Sequence, residues 1–347
     1  MWRRTYPSDG WPSNALADLY WSIGAYDKAV EAGREAVRLG PDVSAAYSNL
    51  AGGLYGLGRF EDAREVYRQA MARSIDAPEY HAYLWRIAVH TGDDEGMRQQ
   101  LDWAASSSTW ARNILARPAA LQGRWREARA GTAQTAALFD ARGMPGLAVR
   151  AMSYEAMDAA LFGDCRIARR AAARVLSSAM NEEQAEAMLV LALCGERDRA
   201  LALADALRVR RPLDTRITRI WVPSIHAAVA LERGEPANAI EMLRAGVPYE
   251  GATEPWSVYL RGLAWLRAGA GGEARAEFEK ILSHPGWTFW TPFAPLSQLG
   301  RARAAAMAGD VETAARAYQD LFALWRNADA DLPVLVEARR EYARLAR

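Results

Sequence analysis

Cysteine, lysine and histidine are scarce in this 347-residue chain, and each scarcity removes a class of chemistry. Two cysteines, Cys165 and Cys194, exclude a disulfide-framework fold and a four-cysteine zinc site. Four histidines (His81, His90, His226 and His284) leave little material for a multi-histidine metal centre. Charge of one sign is also lacking: 43 basic residues face 42 acidic ones, so the net +1 gives no general pull toward nucleic acid or an anionic membrane. No apolar run approaches the ~20 residues that span a bilayer. The segment Met1-Trp2-Arg3-Arg4-Thr5-Tyr6-Pro7 lacks the apolar core of a signal peptide.

What the chain does have is alanine, 71 residues of it. Alanine loses no side-chain entropy in a helix, so an all-α protein is the first expectation. Only Lys28 and Lys280 are lysines; the remaining basic residues are arginines, a bias expected of a GC-rich, bacterial genome.

The alanines are periodic. From Asn14 to Pro41, small or apolar residues stand at Leu16, Ala17, Tyr20, Gly24, Tyr26, Ala29, Gly33 and Ala36, with helical spacing of 3, 4 and 7. A step of 34 regenerates much of the pattern: Leu16, Ala17, Gly24, Tyr26, Ala29 and Ala36 become Leu50, Ala51, Gly58, Phe60, Ala63 and Ala70. Gly24 breaks the pattern between two helices and Pro41 ends the second. The position of Ala29 then serves as a ruler. It recurs at Ala63, Met97, Ala128, Ala168, Ala200, Ala239, Ala274 and Ala314, in steps of 34, 34, 31, 40, 32, 39, 35 and 40. A turn glycine precedes each, at Gly24, Gly58, Gly92, Gly123, Gly163, Gly195, Gly234, Gly269 and Gly309. About nine hairpins follow. The middle ones are degenerate, with long helices expected at 126–141 and 145–162.

This pattern resembles the tetratricopeptide repeat, a 34-residue helical hairpin with small residues where the helices cross. The resemblance implies an all-α, right-handed superhelical solenoid, because one hairpin cannot bury its apolar face alone. The expected organisation is residues 1–9 as the tail of a preceding repeat, 10–77 as two regular hairpins, 78–254 as degenerate hairpins, 255–331 as two more, and 332–347 as a capping helix. The expected capping helix is apolar at Val334, Leu335, Ala338, Tyr342 and Leu345, and charged elsewhere. Because Pro7 lies 34 residues before Pro41, the chain is expected to be the C-terminal part of a longer protein.

Three runs are similar to a narrower family: SNLAGGLYGLGRFEDAREVY (residues 48–67), RRPLDTRITRIWVPSIHAAVALERGEPANAIEMLRAGVPYE (210–250), and the run from Gly300 to Leu345. They resemble the repeat region of bacterial eukaryotic-like Ser/Thr protein kinases, especially acidobacterial ones. In that family a cytoplasmic kinase and a membrane helix precede the array, which implies an extracytoplasmic location; without that arrangement the location would be cytoplasmic. A sister arrangement carries a winged-helix DNA-binding domain instead. The kinase motifs themselves are absent: no glycine-rich phosphate loop, no His-Arg-Asp loop and no Asp-Phe-Gly.

Candidate chemistry is thin. His81 and His90 stand nine residues apart, ~13 Å along a helix, too far for one ion. Buried cysteine as the free thiol is the expected state of Cys165 and Cys194; a disulfide requires their Cα atoms within ~7 Å. Asp93-Asp94-Glu95 and the stretch from Asn327 to Pro333 lack the glycine and the twelfth-place glutamate of a calcium loop, and read as a solvated turn and a polar loop with Asp331 as an N-cap. No metal site, cofactor or catalytic group is expected. The better candidate is the surface lined by the first helix of each hairpin. By family-like placement it carries Asn14, Asp18, Trp21, Ser48, Asn49, Tyr55, Tyr83, Arg86, His90, Asn113, Arg117 and Tyr154. Further aromatics stand at Trp110, Trp221 and Tyr259, of which Trp110 and Trp221 are the first candidates for packing between repeats. Aromatic and arginine side chains dominate binding hot spots. The family's clamp for chaperone C-terminal carboxylates is ruled out: Asn49 is retained, but Asn14, Asp18, Glu79 and Tyr83 stand where its other polar and cationic residues belong. The expected function is a non-catalytic protein-binding module with a protein or peptide in the groove, no nucleic acid, and no membrane insertion. The expected role is sensor or regulatory region of a signalling protein; the alternatives are a stand-alone assembly scaffold or the array of a winged-helix regulator.

Overall fold

A computed structural model describes residues 5–106, 117–178, 181–252, 254–288 and 291–345. Among them the chain is helical throughout, with nineteen α-helices and no strand. Successive pairs form antiparallel hairpins: α1 (Trp11–Ser22) with α2 (Tyr26–Leu39), α3 (Ser44–Gly56) with α4 (Phe60–Ala72), and α5 (Pro78–Thr91) with α6 (Asp94–Ser106). Next come α7 (Arg117–Leu121) with α8 (Trp125–Ala141), α9 (Pro145–Phe162) with α10 (Cys165–Ser178), and α11 (Asn181–Leu193) with α12 (Arg197–Arg210). The last are α13 (Val222–Glu232) with α14 (Pro236–Leu243), α15 (Trp256–Arg267) with α16 (Gly271–Ser283), and α17 (Phe293–Met307) with α18 (Val311–Leu324), followed by α19 (Pro333–Leu345). The all-α hairpin array foreseen in the sequence is therefore the fold. The two long middle helices run 125–141 and 145–162, close to their expected bounds.

The alanine ruler works because those positions are where helices touch. Ala29, Ala63, Ala128, Ala168, Ala200, Ala239, Ala274 and Ala314 are each at most 1 % exposed. Only a small side chain leaves room for the neighbouring axis. Glycine takes this further: a Cβ on Gly33 would stand 2.8 Å from the Leu50 Cα, and one on Gly56 2.4 Å from the Tyr26 ring. All nine turn glycines have positive φ, from 68° to 88°. This left-handed conformation ends a helix cheaply only when Cβ is absent. Neighbouring repeats are stapled by tyrosine hydroxyls that donate to backbone carbonyls: Tyr47 to Pro41 in the connection before α3 (2.9 Å) and Tyr80 of α5 to Ser44 at the start of α3 (2.8 Å).

Two departures from a regular array stand out. Residues Arg216–Trp221 form a π-helical turn that runs into α13. Pro223 has no N–H to close the usual bond to the Arg219 carbonyl, so the turn widens. The second departure is the contents of the compact units. One comprises Met1–Ile114 with Tyr249–Glu254 and His284–Phe289; the other comprises Leu115–Pro248, Pro255–Ser283 and Trp290–Arg347. In the first, the Tyr26 hydroxyl donates to the Gly251 carbonyl at 2.5 Å, and Gly286 presses on the Tyr55 carbonyl so closely that a Cβ there would stand 2.2 Å away. In the second, the segment between α18 and α19 docks on the α7–α8 turn. The Trp325 indole donates to the Leu121 carbonyl (3.0 Å), Asp329 N–H to the Gly123 carbonyl (3.0 Å), and Arg126 N–H to the Asp329 carboxylate (2.8 Å). The residues just before α19 thus have a partner roughly 200 positions back in the chain, and Asp331 forms an ion pair with Arg126. The helix itself buries Leu335 and Ala338 and holds Glu341 against Arg303 (2.9 Å) and Tyr318 (2.8 Å).

Candidate functional site

In the first unit, α1, α3 and α5 place the candidate residues in two tiers. The outer tier holds Asp18, which is exposed, and Trp21, Ser48, Asn49 and Tyr83, which are half-buried. The inner tier holds Asn14, Tyr55, Arg86 and His90. Asn49 bridges the tiers, donating from Nδ2 to Asn14 Oδ1 at 2.9 Å. The Trp21 and Tyr83 side chains meet over Gly52: a Cβ there would stand 3.4 Å from Trp21 Nε1 and 3.8 Å from the Tyr83 hydroxyl. The Arg86 guanidinium lies 4.8 Å from the Tyr83 ring centre, a cation–π contact that fixes both.

Tyr55 corrects the expected groove lining. Its side chain is fully buried, edge-on to Tyr83 at 5.4 Å, and its hydroxyl shares a 2.9 Å hydrogen bond with His90 Nε2. It stands on the face of α3 that packs against the Phe60 ring of α4 and the Tyr83 ring of α5 rather than on the surface. Arg86 is likewise buried, so its charge, not its side-chain surface, acts on the Tyr83 ring. Burial, with the Arg86 charge adding to it, lowers His90 to about 4. Burial also pushes the Tyr55 and Tyr26 hydroxyls up, and in both the Glu254 carboxylate works in the same direction. Glu254 and Gly251 belong to a segment that no local pattern linked to the first repeats. Gly52 was not singled out in the sequence, although a glycine inside a helix was the available signal of a close approach.

In the second unit, Arg117 and Tyr154 are joined by Asp158, which the sequence reading missed. Arg117 makes a bidentate pair with Asp158 (2.6 and 3.2 Å) and lies 4.5 Å from the Tyr154 ring centre. Burial raises Asp158 while Arg117 pulls it back down. Arg117 is almost wholly buried, so it corrects the list as Tyr55 does: the ion pair holds α7 to α9 and offers little to a ligand. Asp158 follows Tyr154 by four residues, one helical turn, and that spacing was the available signal. Asn113 and Trp110 lie outside the described residues. Trp221 is core, and Tyr259 packs edge-on to Phe293 at 5.2 Å.

The scattered polar residues have structural partners. His81 sits between Gln100 (2.8 Å) and Asp76 (3.0 Å) and stacks on Trp103. His226 lies 3.5 Å from Asp205, and His284 stacks on Trp287. Asp93 caps α6 by accepting from the Gly96 N–H. Cys165 and Cys194 are joined in a disulfide, with Cα atoms 5.3 Å apart, which corrects the expected free thiols. The cause is local: the first residue of α10 and the residue after α11 meet at one edge of adjacent hairpins. Among the described residues no three His, Cys, Asp or Glu side chains converge as a metal site. Among them no helix is long and apolar enough to cross a membrane.

No family model matches the sequence, and no curated protein matches it. Solved structures do resemble it. Yeast Tom70 is similar over 99 % of this chain and 90 % of its own, at 13 % identity and a TM-score of 0.42. A tetratricopeptide repeat protein from Parabacteroides merdae is similar over 79 % of this chain and 93 % of its own, at 16 % identity and a TM-score of 0.33. The Cut9–Hcn1 hetero-tetramer of APC/C is similar over 94 % of this chain and 68 % of that one, at 13 % identity and a TM-score of 0.42. The hairpin array itself stands on this molecule's geometry: antiparallel pairs, alanines at the crossings and left-handed glycines at the turns.

Proposed function

We propose that the chain is a non-catalytic protein-interaction module that holds a peptide or protein segment along the first helices of its hairpins. The observation that carries this reading is the half-buried Trp21 and Tyr83 pair that meets over Gly52, with the buried Arg86 guanidinium against the Tyr83 ring. An aromatic pair backed by a buried cation binds by area and orients by hydrogen bonds, which is how hot spots work. The sequence runs that resemble kinase-associated arrays support a finer role as the sensor or regulatory region of a bacterial signalling protein of the Ser/Thr kinase type. An assembly scaffold is the second reading, and one observation favours it. The Trp325–Leu121 and Asp329–Gly123 bonds tie together distant parts of the second unit. A tied unit holds partners at fixed spacing better than it changes curvature.

The test uses the whole chain as bait in lysate, beside a Trp21→Ala/Tyr83→Phe variant with the same melting temperature. Hot-spot truncation predicts about tenfold lower recovery of the partner by the variant. Equal recovery on both baits would overturn the Trp21 and Tyr83 pair as the site.

A further inference from the structure

The near-neutral net charge hides a local concentration of cations and exposed apolar side chains at one edge of the second unit. The end of α12 and the connection that follows read Arg208-Val209-Arg210-Arg211-Pro212-Leu213. Val209 is 76 % exposed and Leu213 94 %. The side chains of Arg210 and Arg211 are exposed and make no ion pair or hydrogen bond among the described residues, and the same holds for Arg219 in the π-helical turn. Arg208 has one partner, Asp205 at 3.2 Å, with both side chains about half exposed. The next inter-repeat connection lies alongside, because Gly246 packs on the Arg219 carbonyl, where a Cβ would stand 3.3 Å away. That connection adds exposed Val247, and α14 adds exposed Met242 just before it.

We propose that this edge docks on the surface of an anionic phospholipid bilayer. Here the apolar groups project beyond the backbone and alternate with arginines. That arrangement fits the boundary between headgroups and acyl chains: Val209 and Leu213 enter the apolar side while Arg210, Arg211 and Arg219 meet lipid phosphates. The π-helical turn adds exposed Arg219, whose carbonyl meets Gly246 of the next connection. Attachment of this kind is peripheral and reversible, and needs no membrane-spanning helix.

The experiment is co-sedimentation of the whole chain with vesicles of phosphatidylcholine alone and of phosphatidylcholine mixed equally with phosphatidylglycerol. The chain should sediment with the mixed vesicles only, and release in about 0.5 M salt as the screening length shrinks. Each basic residue near an anionic leaflet contributes about fivefold in binding, so Arg210→Gln/Arg211→Gln should lose about thirtyfold. Val209→Ser/Leu213→Ser should weaken binding at low salt as well. All four positions are exposed, and an unchanged melting curve identifies variants that fold as the parent does. Failure to bind mixed vesicles, or binding that neither double variant weakens, overturns the proposal. So does capture of polyglutamate, lost in the arginine variant, by a chain that ignores vesicles; that result assigns the edge to an acidic polypeptide.

Discussion

His90 is neutral in the folded chain because its ring is buried, stacked on Phe60 at 5.1 Å, and close to the Arg86 charge. Its value of about 4 lies below the ordinary 6.5. Between those two values the unfolded chain takes up a proton that the folded chain refuses. The contribution to stability is therefore complete above pH 6.5 and is lost progressively as pH falls to about 4. The size is on the order of 3 kcal/mol. Urea titrations at neutral pH and near pH 4.5 should show the parent losing more stability than His90→Gln, which carries no titrating ring. Equal losses would mean that His90 is protonated without cost. At this scale the sequence was a partial guide. It placed Asn14, Asn49, Tyr83, Arg86 and His90 on first helices by repeat position. It could not tell which side chain turns inward, because Tyr55 and Tyr83 share a residue type and differ only in the neighbours that cover them.

The hairpin was the most legible element. Alanine at the crossing and glycine in the turn are demands of close approach and of positive φ, so they mark the element even where the rest of the repeat has drifted. The π-helical turn before α13 was not legible in advance, although Pro223 is its local cause. The disulfide was missed for a different reason: a separation of 29 residues says nothing of distance until both helix ends are placed. With that separation, loss of the crosslink should cost about 3 to 4 kcal/mol through the entropy of the unfolded chain. Denaturation with and without dithiothreitol should show the difference, and Cys165→Ser should make the two curves coincide. A parent curve unmoved by reductant would show that the crosslink contributes no stability.

A linear stack of repeats has only neighbour contacts, so it can fray from either end. The second unit breaks that rule. The Trp325 indole reaches Leu121, its ring lies edge-on to Phe162 at 5.9 Å, and Asp329 takes hydrogen bonds in both directions with the Gly123–Arg126 turn. Gly123 is fixed by this docking twice over, since its φ is +71° and a Cβ would meet Ala328 at 2.7 Å. No periodicity predicts such contacts, because they join residues that occupy different places in their repeats. Their consequence is cooperativity: α8 and α18, about 190 positions apart, should open together. Hydrogen exchange under mild denaturant should show both helices with the same opening free energy in the parent chain. Trp325→Phe/Asp329→Ala removes the two side-chain ties, the indole bond to Leu121 and the carboxylate's bond to the Arg126 N–H; it keeps a ring at 325 and the backbone bond from Asp329 to Gly123. It should lower stability by about 1 to 3 kcal/mol and let α18 and α19 exchange before α8. If α18 already opens ahead of α8 in the parent, the ties do not couple the two regions, and the case for a fixed-spacing scaffold falls with them.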